Sequence, residues 1–293
     1  MTRKTSTILV VGAAGKFAGL VVPALSKRGA HIRALIHDST HSDVVLKRGA
    51  AEVIVGDLRD PANMDAALNG VESVFYIAPT SLPDEAEVGK SIVKAAKQAG
   101  VRRFVFSALI HPILSALPHH LAKVPVEDAI IASDMEFTLL HPTMFFQNIA
   151  SSWPTVIKTG VFAEPWSTDT RFTRVDYRDV AEVAAIALTE DRLLYGTYEL
   201  CAEGNLNRKD VAMLMGEVLG REIKATKLSL DKPATATGSP GDAQMTALKP
   251  MFDWYDVHGL LGNALILRAI LGHEPRTLRA YFEELAATAM DAT

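Results

Sequence analysis

The chain has 293 residues, enough for one large α/β domain or a core with a smaller lobe. Hydrophobic residues make up 48% and charged residues 22%, the balance of a globule with a sizeable core and not of a disordered chain. The formal net charge of -4 offers no basic face for nucleic acid, and the single Cys201 excludes an internal disulfide and a cysteine metal cluster. No apolar run approaches the roughly 18 residues of a membrane span. Residues Met1 to Thr7 are polar and lack the layout of a signal peptide, so the expected location is the cytoplasm.

The first half alternates strand and helix patterns. Ile8 to Val11 is a continuous β-branched run, as a strand covered on both faces requires, and Ala18 to Arg28 is a helix closed by Gly29. His31 to His37 is a second strand, Ser42 to Arg48 a helix, and Val53 to Val55 a third strand stopped at Gly56-Asp57. Pro61 to Leu68 is a helix with proline in its first turn, where the missing N–H costs little. Val74 to Ala78, Arg103 to Phe106 and Phe137 to Leu140 are further strands, separated by helices at Glu85 to Ala99 and Val124 to Ala132. Such alternation predicts a doubly wound, mostly parallel α/β sheet.

The second half is less regular. It contains a helix at Asp179 to Thr189, a strand at Tyr198 to Leu200, a helix at Arg208 to Leu219 and a terminal helix at Leu278 to Ala289. Asp231 to Gly241 has loop composition, and Met251 to Leu271 carries aromatics and aliphatics at mixed spacing. The expected division is a nucleotide-binding core over residues 1–150, with 176–203 returning to it. Residues 151–175 and 204–293 form a smaller C-terminal substrate or lid lobe.

Between the first strand and the first helix lies Gly12-Ala13-Ala14-Gly15-Lys16-Phe17-Ala18-Gly19. In that context Gly12 makes the tight turn, Gly15 lets backbone approach a pyrophosphate, and a small residue at Ala18 or Gly19 lets the helix pack against the sheet. The helix start then offers N–H groups to the anion. Gly12, Ala14, Gly15, Lys16, Phe17 and Ala18 are therefore the expected dinucleotide cradle of a Rossmann-type sheet.

The G-x-x-G-x-x-A/G spacing resembles extended and atypical short-chain dehydrogenases, and later segments narrow the likeness to the NmrA-like family. Those segments are Gly56-Asp57-Leu58-Arg59-Asp60-Pro61, Ala99 to Ser107, Phe137-Thr138-Leu139-Leu140-His141-Pro142, Phe145 to Asn148 and Asp176 to Ala181. His141 departs from the arginine usual in the family's Arg-Pro pair. The resemblance implies a Rossmann fold and dinucleotide binding, with Asp57 and Leu58 lining the adenine pocket and Pro142 near the cofactor. The family mixes reductases with redox-sensing regulators.

The end of the second strand decides between NAD and NADP, because an acid there suits the ribose 2′-hydroxyl and a base suits the 2′-phosphate. His37 stands where NmrA-like proteins often carry arginine, and Arg33, Lys16 and Ser39 are available to supplement it. Asp38 is the competing acid of NAD type. Local charge favours NADP(H), with NAD(H) left open. Ala78, Pro79 and Thr80, at the end of the fourth strand, are expected along the nicotinamide ribose.

Ordinary short-chain dehydrogenases use a Tyr-x-x-x-Lys pair, in which lysine holds the ribose and tyrosine moves the substrate proton. Here His119-His120-Leu121-Ala122-Lys123 puts histidine in place of tyrosine, and on one helix His119 and Lys123 share a face. Lys123 is the expected ribose ligand and acid–base group, or else a surface lysine paired with Glu127. His119 is the expected proton shuttle, or else an exposed loop residue. Ser107, at the end of the fifth strand, either contacts substrate or closes a turn.

Phe145, Asn148, Phe162, Trp166, Tyr177 and Trp254 are candidates for an apolar substrate pocket, though each alone is as readily core. Met251-Phe252 with Trp254-Tyr255 is either a lid or a dimer surface. The nine histidines are scattered and no metal motif appears. Two functions follow. One is an NADP(H)-dependent oxidoreductase for a small apolar carbonyl, quinone or similar acceptor. The other is a catalytically silent NADP(H) sensor acting through a protein partner, which the missing tyrosine favours.

Overall fold

The computed structural model describes residues 6–79, 82–228 and 242–291. In chain order the first elements are β1 (Thr7–Val11), α1 (Ala18–Ser26), β2 (His31–Ile36), α2 (Ser42–Lys47), β3 (Glu52–Val55), α3 (Pro61–Leu68), β4 (Ser73–Ile77), α4 (Glu85–Gln98), β5 (Arg103–Ser107), α5 (Pro118–Leu121), α6 (Val124–Ile131) and β6 (Glu136–Pro142). There follow β7 (Met144–Phe145), α7 (Trp153–Thr159), β8 (Val161–Glu164), β9 (Phe172–Val175), α8 (Tyr177–Thr189), β10 (Gly196–Leu200), β11 (Asn205–Leu206), α9 (Arg208–Leu219), β12 (Lys224–Lys227), α10 (Asp242–His258), α11 (Leu265–Leu271) and α12 (Leu278–Asp291). The expected loop at Asp231 to Gly241 lies outside the described residues.

The main sheet has the order β10-β6-β5-β4-β1-β2-β3, and the six strands from β6 to β3 are all parallel. Order reverses at β1, which lies between β2 and β4, so the crevice beyond the carboxyl ends of β1 and β4 is the topological switch point. Leu9, Val74, Tyr76, Phe104 and Phe106 pack on one face against Ile92, Val126 and Ile130 of α4 and α6. On the other face α1 packs along α8, burying Val21, Leu25, Val183 and Ala187.

The chain forms two compact units. The first comprises Met1–Leu114, Pro118–Pro142 and Tyr177–Glu199; the second comprises Ser115–Leu117, Thr143–Asp176 and Leu200–Thr293. Residues 143–150, which the sequence pattern groups with the core, fall in the second unit, because β7 leaves the main sheet to pair with β9. The second unit has its own core, in which Phe146, Trp153, Phe162, Met215 and Phe282 meet. Asn207 and Asp210 form a reciprocal capping box at the start of α9, and Gly220 in the left-handed conformation ends it. The mixed pattern of Met251 to Leu271 resolves into α10 and α11. They are separated at Gly259, where φ is +67° and a side chain would run into the Arg171 carbonyl.

At the amino edge of the main sheet Arg103 is buried at 1% exposure. Its Nε donates to Glu136 Oε2 at 3.0 Å, and Nη1 donates to the carbonyls of Ala187 at 3.0 Å and Glu190 at 2.8 Å. One guanidinium thus satisfies the carboxyl end of α8 and ties it to β5 and β6. Arg103→Met removes those donors and leaves the carbonyls unpaired. The expected loss is roughly 3 kcal/mol, the scale for breaking a buried charge network. Urea denaturation giving a loss below about 1 kcal/mol, the range of exposed pairs, would assign the network to the surface.

Candidate dinucleotide site

The carboxyl edge of the main sheet is built from the glycine turn outward. Val10 and Val11 are buried, and Gly12 follows with φ +68°, a conformation that a side chain disfavours. Gly15 N–H donates to the Gly12 carbonyl at 2.8 Å, and a Cβ on Gly15 would stand 3.0 Å from that oxygen. Ala13 N–H donates to the Leu35 carbonyl at 3.1 Å, which fixes the turn to the end of β2. No side chain caps α1 and no acid occupies its first turn, so its positive end is left for an anion. Ala18 is buried, as close packing of α1 requires.

The adenosine end departs from expectation at one residue. His37 is exposed just beyond β2. Arg33, expected to supplement it, sits mid-strand. Its Nε donates to Glu52 Oε2 at 2.7 Å, and its Nη1 donates to the carbonyls of Ala67 at 3.0 Å and Asn69 at 2.7 Å. Those bonds hold Arg33 against β3 and α3, about three residues or 10 Å back from the strand end, so it is withdrawn as a phosphate reader. Asp38 accepts from Thr40 N–H at 2.8 Å, and that backbone bond holds its carboxyl below the usual range. Lys16 reaches over the Phe17 ring, 5.5 Å from its centroid. Asp57 folds an Asx-turn, accepting from Arg59 N–H at 2.9 Å, while Asp60 caps α3. Leu58 packs on the core of the first unit.

Beside the switch point, Ala78 is half-buried and Pro79 exposed; Thr80 lies outside the described residues. Ser107 is buried at the end of β5, where its Oγ accepts from the Tyr177 hydroxyl at 3.0 Å. The Phe17 ring lies 5.0 Å from that of Tyr177, so Tyr177 joins the glycine turn to Ser107. It is fully buried, which corrects its expectation as a substrate-pocket residue. Pro142 is buried, and its carbonyl accepts from Ile110 N–H at 2.9 Å.

His119 and Lys123 do not share one helix. The helix breaks between α5 and α6 because Pro125 has no N–H and cannot continue a preceding turn. Lys123, 9% exposed, pairs not with Glu127 but with Glu85 at the start of α4, itself 6% exposed. Glu127 meets His141 Nε2 at 2.8 Å instead. The Tyr76 hydroxyl is buried without a hydrogen-bond partner among the described residues, and burial followed by the Glu85 charge raises its pKa.

His119 stacks edge-on against His120 at 4.5 Å, and His120 Nδ1 donates to the His111 carbonyl at 3.0 Å. Burial, then His120 and Lys123, push His119 down to about 3, and burial first of all pushes His120 to about 4. Burial thus favours the neutral form of both rings near pH 7. Sequence spacing carried no signal for Glu85, 38 residues from its lysine.

In the second unit Trp166 is core. Its ring lies 4.9 Å from Phe172, 5.8 Å from Tyr255 and 6.2 Å from Phe252, and Phe162 is likewise fully buried. Phe252 and Tyr255 are thus interior and form no dimer surface, whereas Trp254, against His258 at 4.7 Å, is half-buried. Phe145 is half-buried in β7 and Asn148 is exposed. Among the described residues no group of three potential metal ligands occurs, and no helix is long and apolar enough to cross a membrane.

The chain is similar over nearly its whole length to known proteins. It is 27% identical over 287 residues to the NAD(P)H azoreductase of Xenophilus azovorans, covering 96% of this chain and 98% of that one. The structure of the NADPH-dependent quinone oxidoreductase QOR2 of Escherichia coli, complexed with NADPH, superposes with a TM-score of 0.83 at 24% identity, over 95% and 99% of the two chains. Nmra, a negative transcriptional regulator solved with NADP, superposes with a TM-score of 0.79 at 18% identity, over 99% and 98%. Residues 4–282 match the NmrA-like family, and the chain belongs to it.

Proposed function

We propose that the protein is an oxidoreductase that takes NADP(H) in preference to NAD(H) and acts on a quinone, a small apolar carbonyl or a similar acceptor. The observation that carries this reading is the glycine turn at an uncapped, acid-free start of α1, between the carboxyl ends of β2 and β4. The Gly12 conformation and the tight Gly15 position make a cradle that fits a pyrophosphate. Ala14 to Ala18 would hold the phosphates, His37 the adenosine ribose side, and Ala78, Pro79 and Lys123 the nicotinamide ribose. Leu58 and Asp57 border the adenine. When bound, the dinucleotide supplies or accepts hydride. Ser107, fixed by Tyr177, orients the acceptor at the strand end.

A second reading, a silent sensor acting on a protein partner, draws on one observation: no tyrosine precedes Lys123, whose ammonium is already paired with Glu85. The likeness to the azoreductase favours the enzyme.

Gly15→Val fills the cradle and presses on the Gly12 carbonyl. Calorimetry should find NADPH binding abolished in a protein that keeps its circular dichroism spectrum; unchanged affinity would remove the turn from the site. Lys123→Met keeps much of the stem but removes charge and donors. NADPH oxidation with quinone acceptors should fall roughly 100-fold, the contribution of a positioned acid–base group, with a smaller loss of cofactor affinity. Full turnover in this variant would exclude Lys123 from the reaction. A wild type that binds NADPH and oxidises it with no quinone, azo or carbonyl acceptor would favour the sensor.

A further inference from the structure

The withdrawal of Arg33 leaves the question of which cation meets a 2′-phosphate. Arg48 follows α2, half-buried, and its guanidinium lies against Gly19 in the first turn of α1. Its Nη1 lies 3.4 Å from the Ala13 carbonyl, and a methyl group on Gly19 would collide with that same nitrogen. The guanidinium therefore occupies the angle between the first turn of α1 and the glycine turn. Ala13 is also the residue that bonds to Leu35, two positions before exposed His37.

Among the described residues Arg48 has no carboxylate partner, and its single weak hydrogen bond leaves most of its five donors for another acceptor. A half-buried cation beside the positive end of a helix is electrostatically unfavourable until an anion joins it. Arg33, by contrast, is matched by Glu52.

We propose that Arg48 reads the adenosine 2′-phosphate and sets the preference for NADP over NAD, with His37 as a secondary contact. This rests on the dinucleotide-binding reading above. In a Rossmann sheet the pyrophosphate lies at the helix start and the adenosine ribose at the end of the second strand. Arg48 reaches the junction of the two, and a planar guanidinium fork suits a phosphate dianion. A Cβ on Gly19 would displace the guanidinium and stand 3.0 Å from the Ala13 carbonyl.

The test is the affinity of the purified full chain for NADP, NAD, adenosine 2′,5′-bisphosphate and 5′-AMP, in the wild type, Arg48→Gln and Arg48→Lys. In Arg48→Gln, NADP and the bisphosphate should weaken roughly 10- to 100-fold, the worth of a charge-assisted contact. NAD and 5′-AMP should stay within about twofold, and Arg48→Lys should recover part of the loss because it keeps the charge without the fork. Gly19→Ala, which displaces the guanidinium without removing it, should lower the NADP preference in the same direction and serves if Arg48→Gln is unstable. Equal weakening of NADP and NAD would make Arg48 a support of the turn and overturn the proposal, as would unchanged NADP affinity. A wild type that binds none of the four ligands would instead sink the dinucleotide reading and this inference with it.

Discussion

Parallel pairing is the constraint on which the candidate site depends. Six strands run the same way, so crossovers must join each to the next, and a crossover places a carboxyl strand end beside a helix start on one edge of the sheet. Gly12, His37, Pro79 and Ser107 are distant in sequence, yet each follows or closes a strand and each arrives at that edge. The turn after β1 leads into a helix start with neither a side-chain cap bond nor a first-turn acid. At α3, by contrast, Asp60 accepts from Ala62 N–H and satisfies the helix start internally. The same scaffold thus leaves one helix start open and closes another.

Around that edge the charges sort into matched and unmatched sets. Arg33 with Glu52, Lys123 with Glu85, and His141 with Glu127 are matched pairs at least partly withdrawn from water. Such pairs fix geometry more than they add stability, because desolvation offsets much of the attraction. Lys123 held by Glu85 is an ammonium with a defined position, joining α4 to the start of α6. Among the described residues Arg48 has no such match.

The alternating first half was legible because doubly covered strands read as unbroken apolar runs and helix ends carry glycine. The turn was legible because its glycines stand between a strand and a helix. Pairings across the sheet were not. The expected shared face of His119 and Lys123 assumed one continuous helix, although Pro125, two residues after the lysine, marked the break before it. Arg33 looked available because it lies near His37 in sequence, but a strand advances about 3.3 Å per residue, so it belongs to the neighbourhood of Glu52. Trp166 carries the composition of a pocket residue, and only packing against Phe172 and Tyr255 marks it as core. Composition cannot separate an aromatic that lines a pocket from one that fills a core, because both are apolar and large.

The proton inventory bears on which acceptor the site suits. Burial keeps His119 and His120 neutral at pH 7, and burial raises the pKa values of Tyr76 and Tyr177 further above neutrality. A general acid works best with a pKa near the working pH, and none of these four groups meets that condition. A simple ketone needs such an acid, because hydride addition generates an alkoxide. A quinone differs, because the anion formed by hydride addition is delocalised over its ring and can take its proton from water. In the proposed reaction a simple carbonyl would therefore draw its proton from Lys123, the ammonium held by Glu85, whereas a quinone would not require it.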